Sequence, residues 1–142
     1  MKKTFIIITM FLFAASACKK KPAVYTSMTV TVNGDSTWTT NNVTMENLNN
    51  AVYINGTNAA MNKEVTLVLK QYEPGSHTYL MGNIGSLPGI NQSQAVYQYG
   101  SNAAPSQGGQ IVVTNSTTTT IHGSFDFEAS GHITGTFIAP IP

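Results

Sequence analysis

The sequence lacks arginine altogether, contains one cysteine (Cys18), and has only 9% charged residues. Beyond Pro22 it carries two lysines and six acidic residues, so this part of the chain has a net charge of −4. Nucleic-acid binding requires a basic surface, and this composition excludes it. With Cys18 set aside, no thiol remains for a disulfide, a zinc–thiolate site or a cysteine nucleophile.

The first residues have the organisation of a signal peptide. Lys2 and Lys3 are followed by the apolar run Phe5–Phe13 and by the small residues Ala14–Ala17. A transmembrane helix needs about 20 apolar residues, whereas the stretch from Phe5 to Ala17 has 13. We therefore predict a cleaved signal peptide over residues 1–17.

The small residues end on Cys18. The sequence Ala15-Ser16-Ala17-Cys18 resembles a bacterial lipobox, although Ala15 stands where a bulky aliphatic residue is usual. The resemblance implies that Cys18 is lipidated and anchors the protein to membrane lipid, with residues 18–24 as a basic tether. Three acyl chains would make the anchor effectively permanent. The alternative is an ordinary secreted protein with an incidental cysteine.

The remaining chain, residues 25–142, predicts one all-β domain. No run of 11 or more residues has a helical period, whereas two-residue alternation recurs between Asn- and Gly-containing turns. We predict a single antiparallel β-sandwich of about nine short strands, with a closed β-barrel as the alternative. Residues 82–93 and 100–109 are predicted loops. The predicted strands are Met28–Val32, Trp38–Met45, Ala51–Asn55 (ending at an Asn55-Gly56 turn), Val65–Lys70, Thr78–Met81, Ala95–Tyr99, Ile111–Val113, Ile121–Ala129 and Ile133–Ile138.

The last two predicted strands form a hairpin. We predict that Phe127 pairs with Gly135 and Phe125 with Phe137, which leaves residues 130–132 as a three-residue loop. The aromatic side chains then lie on the core face, and the intervening polar residues lie on the opposite face.

Several segments together resemble a known family. They are VNGDSTW (32–38), PGSHTYLMG (74–82), GGQIVVTN (108–115), IHGSFDFEA (121–129) and ITGTF (133–137). In this order they resemble a family of small Bacteroidetes-type lipoproteins of unknown function, although Thr134 replaces the Asn or Glu expected before the last glycine. The resemblance carries over no catalytic or ligand residue.

Asp126 and Glu128 are the candidate metal or acid–base residues. At positions i and i+2 of one strand their side chains share a face, roughly 6.5–7 Å apart. Such a pair could bind calcium or support glycoside hydrolysis, but it also suits a solvated strand face. No spacing of the three histidines matches a metal motif, and no hydrolase, P-loop or dinucleotide motif occurs. We predict a protein that is not an enzyme and has no cofactor.

Aromatic residues offer a second candidate site. Trp38, Tyr97 and Tyr99 could form a glycan-binding face together with nearby amides, or they could be core residues of the strands. In addition, Asp35-Ser36-Thr37 resembles a periplasmic O-glycosylation acceptor, with Ser36 as the modified residue.

The sequence thus predicts a lipid-anchored cell-envelope protein that acts by binding or structural association. Its partner could be a glycan or another envelope protein; the alternatives are a glycan-binding module and a calcium-binding or cryptic enzyme domain. Because Lys19, Lys20 and Lys21 follow Cys18 where surface-exported lipoproteins tend to have acidic residues, we expect the outer membrane and its periplasmic side, with the cell surface as the alternative.

Overall fold

The computed structural model describes residues 23–34, 36–82 and 92–142. Within these ranges the chain forms eleven β-strands and one 3₁₀ turn, with no α-helix. The strands are β1 (Ser27–Val32), β2 (Ser36–Thr40), β3 (Val43–Leu48), β4 (Ala51–Asn58), β5 (Lys63–Lys70), β6 (His77–Met81), β7 (Gln94–Tyr99), β8 (Asn102–Pro105), β9 (Gly109–Ser116), β10 (Thr120–Glu128) and β11 (His132–Pro140); the 3₁₀ turn is Ala59–Met61.

The strands form two antiparallel sheets. The first has the order β2-β1-β11-β10-β9-β6, and the second has the order β3-β4-β5-β7-β8. The sheets are not closed on each other, so the predicted sandwich is confirmed and the closed barrel is not the fold. In the middle strand of the second sheet, Val65, Leu67 and Leu69 are fully buried. Burying one such side chain contributes about 1.5–3 kcal/mol, so these inward faces stabilise the fold.

The predicted number of strands was too low. The second predicted strand is in fact two strands, β2 and β3, which belong to different sheets and are separated by Asn41 and Asn42. At this corner the Thr40 hydroxyl donates to the Thr57 carbonyl oxygen at 2.7 Å. The surrounding run of Thr and Asn contains no apolar interruption that would reveal a change of sheet.

Two further boundaries differ from the prediction. β4 continues through the predicted Asn55-Gly56 turn to Asn58, and Gly56 pairs with Val65. The absence of a side chain at Gly56 leaves room for the Met28 thioether, so this glycine serves packing between the sheets. The predicted loop 100–109 contains the short edge strand β8, which pairs with β7.

The last hairpin has the predicted faces but a different register. Phe125 pairs with Gly135, Phe127 with Ile133 and Phe137 with Gly123. The predicted pairing was therefore displaced by two residues. A two-residue displacement keeps every side chain on its face, so alternation alone does not detect it. The observed register places two phenyl rings against glycines: Phe125 against Gly135 and Phe137 against Gly123.

The predicted signal peptide (residues 1–17), Cys18 and residues 83–91 of the predicted 82–93 loop lie outside the described residues. Among the residues that are described, no helix has the length and hydrophobicity needed to cross a membrane.

Candidate functional site

The three aromatic residues predicted as a binding face do not form one. Trp38 is 3% exposed and Tyr97 is 7% exposed, and both belong to the core, whereas Tyr99 is 57% exposed. The Lys63 ammonium nitrogen lies over the Tyr99 ring, 5.6 Å from its centroid. The predicted binding face is wrong because the side-chain alternation of β2 and β7 directs Trp38 and Tyr97 into the core.

Trp38 and Tyr97 meet within the core. Burial raises the pKa of the Tyr97 hydroxyl, the negative charge of a neighbouring Tyr99 phenolate adds to this rise, and the Trp38 indole N–H opposes it. Among the described residues, the indole N–H has no partner with hydrogen-bond geometry. This contact is a feature of the core and offers no surface to a ligand.

Asp126 is paired with a histidine that the predicted register had placed in the loop. Asp126 Oδ1 lies 2.7 Å from His132 Nε2, and both side chains are about half exposed. The hydrogen bond to Asp126 raises the pKa of His132, and the negative charges of Asp126 and Glu128 act in the same direction. The true register brings them together because His132 pairs with Glu128, one diagonal step from Asp126.

Asp126 and Glu128, the candidate metal pair, have no third ligand in the described part of the chain. Within the described residues, no group of three or more His, Cys, Asp and Glu side chains could hold a metal ion. His122, on the same sheet face, has its own contact with the Thr120 hydroxyl at 3.0 Å. Asp126 and His132 thus form a solvent-exposed ion pair when His132 is protonated.

A cavity of about 370 Å³ lies where the described chain begins. We call it the entry cavity. It lies between the segment Ala23–Tyr25 and the first sheet, where its walls include His122, Ile138 and the β9–β10 turn at Thr119 and Thr120. Val24 is 40% exposed and Tyr25 is 67% exposed. The entry cavity and these two side chains make an exposed apolar surface at the point where the chain enters the domain.

A smaller cavity of about 190 Å³ lies at the margin of the second sheet. We call it the amide pocket; it is lined by Asn47, Asn50, Val52, Gln71 and Tyr72. Val52 is buried, whereas the three amide-bearing residues are exposed. In the described part of the chain, no side-chain hydrogen bond occupies these three amides.

Local backbone geometry brings the amide pocket together. The β3–β4 hairpin turns through Asn49 and Asn50, whose φ angles of 52° and 62° suit a two-residue turn with both central residues left-handed. At the end of β5, Gln71 also has a left-handed φ of 50°, and its N–H donates to the Asn50 carbonyl oxygen at 3.3 Å. This backbone contact places two of the amides next to each other.

The aromatic wall of the amide pocket is fixed by its own contacts. The Tyr72 and Ser116 hydroxyl oxygens are hydrogen-bonded at 3.0 Å. The Tyr72 ring stacks on Tyr79 with an interplanar angle of 24° and a centroid separation of 6.5 Å. The Tyr79 hydroxyl accepts from the Glu73 N–H at 3.1 Å, and burial raises its pKa. Sequence analysis missed this cluster because its residues come from three separate segments.

A third cavity, of about 180 Å³, has a similar size but different chemistry. It lies beside the 3₁₀ turn, and its lining includes both Lys63 and Glu64. The Asn58 side chain donates to the Thr39 carbonyl and accepts from the Met61 N–H, while the Gln98 amide donates to the Gly100 carbonyl. It has two half-buried charged residues in its lining, and two of its amides already form hydrogen bonds, which distinguishes it from the amide pocket.

Ser36, the predicted glycosylation acceptor, is the first residue of β2 and is exposed. Its neighbour Asp35 lies outside the described residues.

Comparison with known proteins identifies a family and nothing more specific. Residues 25–139 match the family described as "Domain of unknown function (DUF6252)". No curated protein and no solved structure matches the chain. Since the matched range covers well over half of the sequence, including every strand of the sandwich except the last residue of β11, the chain belongs to this DUF6252 family of unknown function.

Proposed function

We propose that the protein is a lipid-anchored, non-catalytic binding domain of the bacterial cell envelope. The observation that carries the anchor is Cys18, which directly follows the small residues of the leader and stands five residues before Ala23. A fully extended chain of five residues spans at most about 18 Å. An acylated Cys18 would therefore hold the entry end of the domain close to the bilayer.

The surface at that end supports the proposal. Val24 and Tyr25 are exposed beside the apolar entry cavity. Tyrosine suits a membrane interface because its ring is apolar and its hydroxyl remains hydrated. The preceding lysines, Lys19, Lys20 and Lys21, suit anionic lipid headgroups.

The anchor is tested by expressing the full chain, Cys18→Ser and the control Ser16→Ala in a bacterium that acylates lipoproteins. The wild type and Ser16→Ala should partition into detergent and carry the mass of an acylated N-terminal cysteine. Cys18→Ser should lose both properties. Recovery of the wild type as an unacylated soluble protein would refute the anchor.

We place the anchored domain on the periplasmic side of the outer membrane, because lysines rather than acidic residues follow Cys18. Protease added to intact cells should leave the domain undigested, and protease added after outer-membrane permeabilisation should remove it. Digestion in intact, impermeable cells would instead place the domain on the cell surface.

A binding role is supported by the amide pocket, whose three amides are exposed to solvent around one cavity. The titratable side chains of Asp126 and His132 are about half exposed and pair with each other at 2.7 Å. A domain that holds a ligand without transforming it agrees with both features.

A further inference from the structure

We propose that the amide pocket (Asn47, Asn50, Val52, Gln71 and Tyr72) binds one uncharged sugar ring, such as the terminal residue of a neutral glycan. The proposal gives a ligand class to the binding role proposed above and does not depend on the lipid anchor. It also moves the predicted glycan site away from Trp38 and Tyr97, which are buried.

The first argument is hydrogen bonding. Each side-chain amide offers two N–H donors and one carbonyl acceptor. A sugar hydroxyl both donates and accepts, so neighbouring hydroxyls of one ring match this mixed set. The same cavity is lined by three amide side chains, those of Asn47, Asn50 and Gln71, and none of them forms a hydrogen bond with the described parts of the protein. The 180 Å³ cavity lies at the opposite end of β4 and β5, and there the amides of Asn58 and Gln98 already form hydrogen bonds with backbone carbonyls.

The second argument is the apolar part of the pocket. A pyranose ring has C–H groups that pack on apolar and aromatic surfaces. The half-buried Tyr72 supplies such a surface, and the buried Val52 completes the lining. The Tyr72 hydroxyl is held by Ser116 and its ring by Tyr79, so little side-chain freedom remains to be lost on binding.

The third argument is charge and size. None of the five lining residues is charged, so the pocket has no cation to neutralise an acidic sugar or a phosphate. Its volume of about 190 Å³ corresponds to roughly six water molecules. This space suits one sugar ring and is too small to enclose an extended oligosaccharide.

The fourth argument is the backbone of Gln71. A left-handed φ is common for Asn and Gly but unfavourable for a residue such as Gln. Gln71 nevertheless has a φ of 50° and places its amide at the pocket. Glycine would remove the strain of the left-handed φ, but it would also remove the side-chain amide. We therefore infer that the amide is the reason for a glutamine at this position.

These backbone angles allow variants that remove an amide without disturbing the fold. Asn50→Gly and Gln71→Gly each delete one pocket amide at a left-handed position where glycine is well tolerated. The matched control is Asn62→Gly, because Asn62 has a left-handed φ of 53° but lines the other cavity. Thermal unfolding of all three variants should be equal to that of the wild type or shifted upward.

Binding is measured on the full-length chain by ¹H–¹⁵N NMR titration, following the side-chain amide signals of Asn47, Asn50 and Gln71. The probes are glucose, galactose, mannose and N-acetylglucosamine, with glucuronate and glucosamine as charged comparisons. At least one neutral sugar should shift these signals in a saturable manner. Asn50→Gly and Gln71→Gly should weaken that binding at least tenfold, and Asn62→Gly should leave it unchanged.

The proposal is overturned if no neutral sugar shifts these amides at 50 mM, if the charged sugars bind equally well, or if Asn62→Gly weakens binding as much as the pocket variants. Saturable binding with signals displaced elsewhere would also overturn it. Because Cys18→Ser retains the pocket, this variant should bind the same sugar in solution. Loss of acylation and loss of sugar binding are therefore separate results.

Discussion

Two strand glycines, Gly135 and Gly56, should respond very differently to the same added methyl group. A Cβ at Gly135 would collide with the backbone carbonyl oxygen of Thr29 and with the Phe125 ring, whose Cε2 would be 2.9 Å away. The backbone oxygen is held in the β1–β11 pairing and has no rotamer through which to retreat. A Cβ at Gly56 would meet the Met28 side chain, whose terminal Cε would be 2.9 Å and whose Cβ would be 3.1 Å away; a methionine side chain is flexible and can adapt more readily than backbone.

Overpacking of a core typically costs about 1–3 kcal/mol. We assign the upper end, about 3 kcal/mol, to Gly135→Ala because the obstruction is backbone, and about 1 kcal/mol or less to Gly56→Ala. For a domain of this size the first cost lowers Tm by roughly 10–15 °C. Trp38 is the only tryptophan and is 3% exposed, so its fluorescence reports unfolding directly.

The assay is urea unfolding of the wild type, Gly135→Ala, Gly56→Ala and the outward-facing control Thr136→Ala. Thr136 is an exposed neighbour of Gly135 on β11, and its truncation should change the free energy of unfolding by no more than about 0.5 kcal/mol. Equal midpoints for Gly135→Ala and Gly56→Ala would refute the reasoning, since they would mean that the close approach of β1, β10 and β11 at Gly135 does not exist.

Three further predictions concern the surface. In an NMR titration the pKa of His132 should lie above the ordinary value of about 6.5 and should fall toward that value in Asp126→Asn; an unchanged pKa in the variant would contradict the pairing. Because the pKa is raised in the folded state, the stability gained from this pair is present below pH 6.5 and is lost as the pH rises through the folded-state pKa. In proteoliposomes of the acylated chain, Tyr25→Trp should be quenched by brominated lipids more strongly than Leu80→Trp, a control position with the same 67% exposure; equal quenching would argue against an entry end that faces the bilayer. If Ser36 is a glycosylation acceptor in the native host, intact-mass analysis should show an added glycan that Ser36→Ala removes, and a wild-type mass without glycan would disprove it.

Alternation along the strands predicted the face of each residue but not every partner. In β10 and β11, polar and apolar residues alternate so regularly that the inward position of Phe125, Phe127 and Phe137 follows from sequence alone. The pairing does not, because a displacement of two residues preserves all faces. The contacts of the Phe125 and Phe137 rings with Gly135 and Gly123 select one register, and with it the Asp126–His132 pair. The Asp126–His132 pair therefore could not be predicted until the register of β10 and β11 was known.

The strand boundaries were hardest to predict where strands carry little apolar content. β8 (Asn102–Pro105) is a four-residue edge strand with no large hydrophobic side chain. At the β2–β3 corner, Thr40 and Asn41 resemble the residues within the neighbouring strands as much as they resemble a turn. Edge strands and corners depend on hydrogen bonds such as that from Thr40 to Thr57. These hydrogen bonds do not change the pattern of apolar residues, so the pattern does not reveal them.

The amide pocket could not be predicted for a different reason. Asn47 and Asn50 belong to the β3–β4 hairpin, whereas Gln71 and Tyr72 follow β5, more than 20 residues later. Only the antiparallel pairing of β4 with β5 brings Ala51 opposite Lys70 and so joins the two segments. The sequence signal available in advance was the left-handed tendency of Asn49-Asn50, which marks a turn and does not mark a site.

The amide pocket and the entry cavity are linked by one turn. Ser116, which holds the Tyr72 ring, is the last residue of β9, and Thr119, in the following turn, lines the entry cavity. A domain tethered through Cys18 would therefore present the amide pocket near the bilayer, since Tyr72 contacts Ser116 and the turn that follows Ser116 lines the entry cavity. Small sugars would reach such a pocket freely, whereas a bulky soluble polysaccharide would be hindered by the membrane. The acylated protein on liposomes should accordingly bind a neutral monosaccharide as well as Cys18→Ser does in solution, but bind a long soluble glycan with the same terminal sugar more weakly. Equal binding of the long glycan by both forms would mean that the pocket faces away from the membrane.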